Sequence, residues 1–383
     1  MKTVSRNVKI LGLTSMLTDI SSEMIFSVLP LFLANILHAN MAVIGLIEGI
    51  AESTASTLKL FSGWISDRFG RRKPIVIFGY GLSTITKPLL AFAGGWHEVL
   101  FVRFVDRVGK GVRDAPRDAL IAESSETKTR GRAFGYHRML DTIGAVIGPL
   151  VAVGVLSLYA SAEQGYRTIF LISIIPAFLG VLALFLVKEK RGRRNHASLR
   201  ISFANLNKKT KMFLAVSFVF ALGNFSYAFL ILRAQDIGVS VVAIPLLYIL
   251  FNVVYAASAF PIGSFADKVS KRKMIGVGYF LFALMCAGFI FASSPVHAVL
   301  LFALYGVFNS INETVARAYV SNVAQEERRG TALGAFHAAT GLAQLPASVL
   351  MGALWQSFGA PVAFAYGGVC ALAACALLFI SSR

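Results

Sequence analysis

Twelve long apolar runs follow one another along the 383-residue chain, at 9–37, 41–65, 74–94, 98–121, 131–159, 167–187, 212–234, 240–264, 274–293, 296–322, 331–357 and 361–381. A run of about 18 or more such residues is long enough to cross the hydrocarbon core of a bilayer as a helix. Strands of an outer-membrane barrel would show short stretches of alternating hydropathy instead. Composition agrees. Hydrophobic residues make up 56% and charged residues 15% of the chain, where a soluble domain is about one quarter charged. The expected fold class is all-α and polytopic, with twelve transmembrane helices.

The formal charge is +18, from 37 Lys and Arg against 19 Asp and Glu. A nucleic-acid binder gathers such charge on a soluble face. Here it falls in alternate loops: Arg71, Arg72 and Lys73; Lys128, Arg130 and Arg132; the stretch 188–194; Lys271, Arg272 and Lys273; Arg328 and Arg329. The loops between them are short and nearly free of Lys and Arg. This positive-inside pattern predicts cytoplasmic termini in a bacterial inner membrane, with the surplus charge meeting anionic lipid rather than nucleic acid. Lys2, Arg6 and Lys9 precede the first run as in a signal peptide. Asp19 and Glu23 interrupt that run, however, and no small-residue cleavage site is clear, so it reads as an uncleaved helix.

The loop after the second run carries Gly63, Asp67, Arg68, Gly70, Arg71, Arg72 and Lys73 in the pattern G-x-x-x-D-R-x-G-R-R-K. A weaker copy, Gly263, Asp267, Lys268, Lys271, Arg272 and Lys273, returns 200 residues later. Arg130-Gly131-Arg132-Ala133-Phe134-Gly135 likewise returns as Arg329-Gly330-Thr331-Ala332-Leu333-Gly334. A repeat at half the chain length marks two copies of one structural unit, and paired halves of matching hydropathy are a transporter signature. The expected halves are 1–187 and 212–383, joined by a basic cytoplasmic linker at 188–211. With this motif between the second and third runs and its copy between the eighth and ninth, the chain resembles the major facilitator superfamily over essentially its whole length. The resemblance implies two six-helix bundles around a central cavity, alternating access and a monomer. In the motif itself, Gly63 lets helices approach closely. Asp67 is placed to pair with Arg71 or with a helix N-terminus, which would latch one conformational state. Arg68, Gly70, Arg72 and Asp267 belong to the same gating set.

Gly135, Gly144, Gly148 and Pro149 in the fifth run read G-x8-G-x3-G-P and resemble the fifth-helix signature of the drug–proton antiporters of that superfamily, with Ala152 where a further Gly is usual. The glycines are expected to permit tight packing between the two halves, and Pro149 to loosen the backbone. The resemblance implies export by antiport.

Ionisable residues also stand at membrane depth. The first run has Asp19 and Glu23, the second Glu48, Glu52 and Lys59, the fourth Arg103, Asp106, Arg107 and Lys110, and the fifth Arg138 and Asp141. Each would cost about 2.5–3.5 kcal/mol facing lipid, so they should face the interior. Asp19 and Glu23 share one helical face, as do Glu48 and Glu52. These four acids and Asp141 are the proton-coupling candidates, with Asp19 and Glu23 foremost. The four runs belong to the first half, which locates coupling there. In the family, the first, fourth and fifth helices line the cavity. Arg103 resembles the fourth-helix arginine of the antiporters, but Arg107 stands where they have Gly. With Asp106 and Arg138, the arginines form a candidate substrate contact that also admits an anionic metabolite or a metal-chelating compound. In the second half Asn309 and Gln344 are the candidate contacts.

Other functions are excluded on specific grounds. Gly109-Lys110-Gly111 lacks the G-x-x-x-x-G-K-[ST] spacing of a phosphate loop, so no nucleotide site is expected. The stretch 109–118 reads as a cytoplasmic gate, or as a hinge at Gly109, Gly111 and Pro116. Cys286, Cys370 and Cys375 and the six His form no ligand set, so no cofactor or metal is expected, and transport of a metal cation ranks low. No catalytic constellation points to an enzyme. The expectation is a proton-coupled secondary transporter, exporting a small organic solute.

Overall fold

The computed structural model describes residues 4–126, 129–189, 206–325 and 329–380. Most of the linker expected at 188–211 lies outside these residues, as do Lys128 and Arg328. The side chains of Asp67, Asp267 and Arg329 are also outside the description.

Among the described residues every regular element is helical. The long helices are α1 Arg6–Ile36, α2 Met41–Phe69, α3 Lys73–Phe92, α4 Trp96–Glu123, α5 Arg130–Leu158, α6 Ala162–Phe185, α7 Lys208–Asp236, α8 Ile244–Lys268, α9 Lys271–Phe291, α10 Pro295–Val323, α11 Arg329–Phe358 and α12 Ala360–Ile380. Eleven of them are long and apolar enough to cross a membrane. The exception, α4, has the length, 28 residues, but is rich in charge. Its charged residues 103, 106, 107, 110, 113, 114 and 117 recur at three- and four-residue spacing and so form one stripe, which the helix turns inward. The stretch 109–118, expected as a gate or hinge, lies within this unbroken helix, Pro116 included. Its glycines serve packing. A methyl group at Gly109 would sit 2.6 Å from the Gly79 carbonyl oxygen, and one at Gly79 2.6 Å from the Gly109 oxygen, so α3 and α4 touch backbone to backbone. A methyl at Gly111 would meet Leu58 Cβ at 2.6 Å, which brings the second half of α2 onto the same helix.

Several helices are broken, mostly by proline. Pro30 lacks an N–H and would clash with the carbonyl of Phe26, and α1 breaks at Ser27 and Val28, two residues before it. Pro88 tightens the end of α3 into a 3₁₀ turn over Lys87–Phe92, and Pro176 follows the interruption of α6 at Ser173. The break of α7 at 224–227 has no proline. There Asn224 leaves helical geometry (φ −87°, ψ 76°), and the Ser226 hydroxyl accepts the Ala228 N–H at 3.3 Å. Ser27 and Tyr227 are 200 residues apart, so the breaks respect the repeat. Equivalent helices begin 198 to 203 residues apart, as with Ala162 and Ala360, or Met41 and Ile244.

The chain forms two compact units, one of residues 1–38 and 54–199, the other of 39–53 and 200–383. In the first, α1 packs along α5 and against the second part of α6, and α3 packs along α4. Val8, Leu11, Val76, Tyr80, Leu120, Ile121 and Leu184 form a buried cluster at one end. In the second, α8 packs on α10, and α9 on α12 and α10. Phe220 anchors an aromatic core there, stacked on Tyr279 at 4.1 Å and edge-on to Phe282 at 5.4 Å. The first turns of α2, 41–53, belong to this second unit. The Met41 N–H donates to Gln356 Oε1 (3.1 Å) and the Ser53 hydroxyl to the Gly341 oxygen (2.7 Å). A methyl at Gly49 would lie 2.9 Å from the Leu345 oxygen.

Candidate functional site

The polar interior of the first unit is built where α1 crosses α5. A Cβ at Gly144 would lie 2.6 Å from the Met16 oxygen and 2.9 Å from Asp19 Cβ. One at Gly148 would lie 2.7 Å from the Ile20 oxygen and 3.1 Å from Glu23 Cβ. The two glycines therefore seat the two α1 acids, one helical turn apart on each helix. This corrects the expectation that the glycines pack the halves together: both press on α1, inside one unit. Gly135 has no atom within 4 Å of where its Cβ would be, so it takes no part in the crossing. Pro149 is buried within an unbroken α5.

Asp19 and Glu23 are half-buried. Asp19 is within electrostatic reach of Asp141, Glu23, Lys110 and Arg117. Asp141 faces His137 on its own helix, Nδ1 to Oδ2 at 3.3 Å. Arg117 is paired with Asp118 at 2.9 Å and lies 3.7 Å from Asp114, with the Ser15 hydroxyl at 3.4 Å.

Deeper along α4, Arg103 and Arg107 are 1% and 2% exposed, their guanidinium groups 4.4 and 4.7 Å from the Phe26 ring. Cation–π contact of this kind strengthens as water is excluded. Asp106 is buried among Lys87, Arg107, Arg113 and Arg103. Lys87 donates to Ser22 at 2.7 Å and Ser21 at 3.3 Å. Arg113 donates to the Ser83 hydroxyl at 2.7 Å and lies over Tyr80. Arg138, one residue beyond buried His137, is on the exposed face of α5.

Sequence reasoning missed Lys87, Arg113, Arg117 and His137. The signals were present: Lys87 is an ionisable residue inside an apolar run, and His137 and Asp141 stand at i,i+4. With them included, and leaving aside Lys73 at the loop end of α3, the half-buried and buried charges between residues 15 and 141 on α1, α3, α4 and α5 are six cations (Lys87, Arg103, Arg107, Lys110, Arg113, Arg117) and six acids (Asp19, Glu23, Asp106, Asp114, Asp118, Asp141). These deep cations are matched in number by acids, so the count alone calls for no anionic ligand.

The remaining candidates lie elsewhere. Glu48, 2% exposed, accepts a hydrogen bond from Ser226 at 3.0 Å in the second unit, and Glu52 lies near Tyr305 there. The sequence expectation that all these acids share the first half is thus corrected. The first turns of α2 carry glycines that fit α11, and their acids go with them. Asn309 donates to the Tyr305 oxygen at 3.0 Å, and Gln344 is half-buried.

In the loop motif, Gly70 ends α2 in the left-handed region (φ 63°), where glycine is favoured. Gly63 makes only an ordinary contact with Ala115. Arg68 lies over Trp64, and Arg71 is exposed. Arg72 is paired with Glu123. The N–H groups of Arg72 and Lys73 donate to Glu189, and Lys73 Nζ donates to the Phe185 and Val187 oxygens at 2.9 and 2.7 Å. The loop is therefore clamped to the ends of α4 and α6. Glu189→Ala should remove the cap on α3 and cost about 1 kcal/mol, read as a lower thermal midpoint in detergent. An unchanged midpoint would show that the cap does not matter.

The Major Facilitator Superfamily family model matches residues 11–230 and 212–383. The chain belongs to this superfamily. A superfamily relative, an uncharacterized MFS-type transporter of Methanocaldococcus jannaschii, is 38% identical over 98% of this chain and 95% of its own length. Solved structures of the superfamily share the fold at low identity. A bacterial homologue of the human lysosomal transporter Spinster superposes with a TM-score of 0.79 at 17% identity, covering 100% of this chain and 98% of that one. The nucleoside transporter NupG does so with 0.83 at 14%, covering 99% and 100%. The chain is thus an integral membrane protein and a secondary transporter. A shared fold does not fix the substrate, which is left to the side chains.

Proposed function

We propose that this superfamily member exports a small organic solute in exchange for protons, working as a monomer by alternating access between two six-helix halves, 1–187 and 212–383. The proposed setting is a bacterial inner membrane with both termini cytoplasmic. The observation that carries the reading is the seating of Asp19 and Glu23 against Gly144 and Gly148, within reach of Asp141. An acid at this depth either pairs or takes up a proton. The twelve interior charges balance only while all are ionised. A proton on one acid unbalances them, which is how it would favour one conformational state over another. The α5 glycine spacing supports export. Glu48 and Glu52 remain secondary coupling candidates. Arg103, Asp106, Arg107, Arg138, Asn309 and Gln344 are the proposed substrate contacts. Asp67 and Asp267, with Gly63, Arg68, Gly70, Arg71, Arg72 and Pro149, form the proposed gating set.

Purified protein in proteoliposomes, with pyranine trapped inside to report pH, tests the reading. With ethidium, tetraphenylphosphonium, lactate and citrate as probes, at least one solute should collapse an imposed pH gradient faster than in empty liposomes. A transported probe whose initial rate is the same with and without the gradient would overturn proton coupling.

A further inference from the structure

The crossing of α1 and α5 extends toward the start of α5 in a group that the coupling acids do not account for. His137 is 4% exposed and seven residues from the first residue of its helix, about 10 Å along the axis. Its Nδ1 faces Asp141 Oδ2 at 3.3 Å, and Asp141 in turn is within electrostatic reach of Asp19, which neighbours Glu23. His137, Asp141, Asp19 and Glu23 thus form a file along one helix crossing, from the loop end of α5 to the seat at Gly148. The other charged groups facing this file are Arg117 and Lys110 of α4, with Asp114 and Asp118 beside Arg117; the Ser15 hydroxyl of α1 and Tyr80 of α3 adjoin Arg117. Among the groups in the file, only the imidazole takes a proton at one nitrogen and releases one from the other.

We propose that His137 relays protons between the loop end of α5 and the Asp141–Asp19 acids. In the inward step the ring gains a proton at Nε2 and becomes an imidazolium. Its Nδ1–H then passes to Asp141 Oδ2, leaving neutral imidazole and a protonated carboxyl. Water then takes the Nε2 proton and returns one to Nδ1, which resets the relay. With water as the only co-reactant, the proton count balances at each step. The inference rests on the proton-coupling reading and adds the residue through which the acids are filled.

Its test needs no solute. Full-length protein in detergent is mixed with acid in a stopped-flow instrument, and a pH-indicator dye follows proton uptake. His137→Asn keeps an N–H donor where Nδ1 stands but cannot relay. It should fill the acids at least roughly tenfold more slowly than wild type, in line with the effect of a positioned acid–base group, with an unchanged thermal midpoint. His137→Gln, which puts its amide nearer the Nε2 position, serves as the second variant and should be slowed in the same way. Wild-type uptake rates in either folded variant would overturn the relay. Failure of both variants to fold would make His137 a structural residue and overturn it equally. Absence of slow proton uptake in the wild type would refute the coupling reading itself, and the relay with it. The wild-type trace thus judges the function, and the variant traces judge His137.

Discussion

Valine at position 148 is expected to force α1 away from α5 and to abolish transport. A Cβ there would already lie 2.7 Å from the Ile20 oxygen, 2.9 Å from the Met24 nitrogen and 3.1 Å from Glu23 Cβ. Two of these atoms are backbone and cannot swing aside as a flexible side chain would. Overfilling a packed contact costs roughly 1–3 kcal/mol when neighbours yield. Here two methyl groups beyond Cβ must also fit, and total stability is only about 5–15 kcal/mol. The acids seated at the crossing would move with α1. The measurements are the yield of monodisperse protein on size-exclusion chromatography, its thermal midpoint and solute flux. Gly154, on the same helix, has nothing within 4 Å of its would-be Cβ, so Gly154→Val should behave nearly as wild type. Equal behaviour of the two valine variants would show that the crossing is not a structural requirement.

Replacing Asp19 by Asn and Glu23 by Gln together should cut gradient-driven flux by roughly tenfold or more, the scale expected when a positioned proton carrier is lost, while solute exchange at equal pH continues. The amides are nearly isosteric with the acids, so the seat at Gly144 and Gly148 stays filled, but neither amide carries a proton. The loss of two negative charges leaves Lys110 and Arg117 without part of their balancing field. A lower thermal midpoint is therefore expected as well, and separates electrostatic from coupling effects: stability falls in proportion to charge removed, whereas coupling is lost outright. Proteoliposomes under an imposed pH gradient measure the first quantity, and counterflow the second. A double variant that follows the gradient as wild type does would move the coupling site to Asp141, or to Glu48 in the second unit.

The parts of the site that could be read from sequence were those written within one helix. Asp19 and Glu23 at i,i+4, and the charged stripe of α4, are periodicities of 3.6 residues and need no knowledge of neighbours. His137 and Asp141 are of the same kind and were legible, though overlooked. Pairings between helices were not legible in this way. Gly144 and Gly148 announced a close approach, but the partner, α1, lies more than a hundred residues earlier, and nothing local names it.

Hydropathy and repetition by themselves determined the helix count, the all-α class and the two-fold duplication, because the need to cross a bilayer is met residue by residue within each run; the superfamily came from resemblance in the loop motif at 63–73. Proline placed three of the four interruptions, since the missing N–H and the ring clash act on the preceding turn. Only the tertiary structure decided which glycines are contacts and which merely occupy open space, as at Gly135 and Gly154. It also decided that Lys87 is buried beside Asp106, and that the first turns of α2 and Glu48 join the second unit. Those outcomes depend on the register and rotation of one helix against another. Register is set by how side chains far apart in sequence fill common space, and no single stretch of the chain contains it.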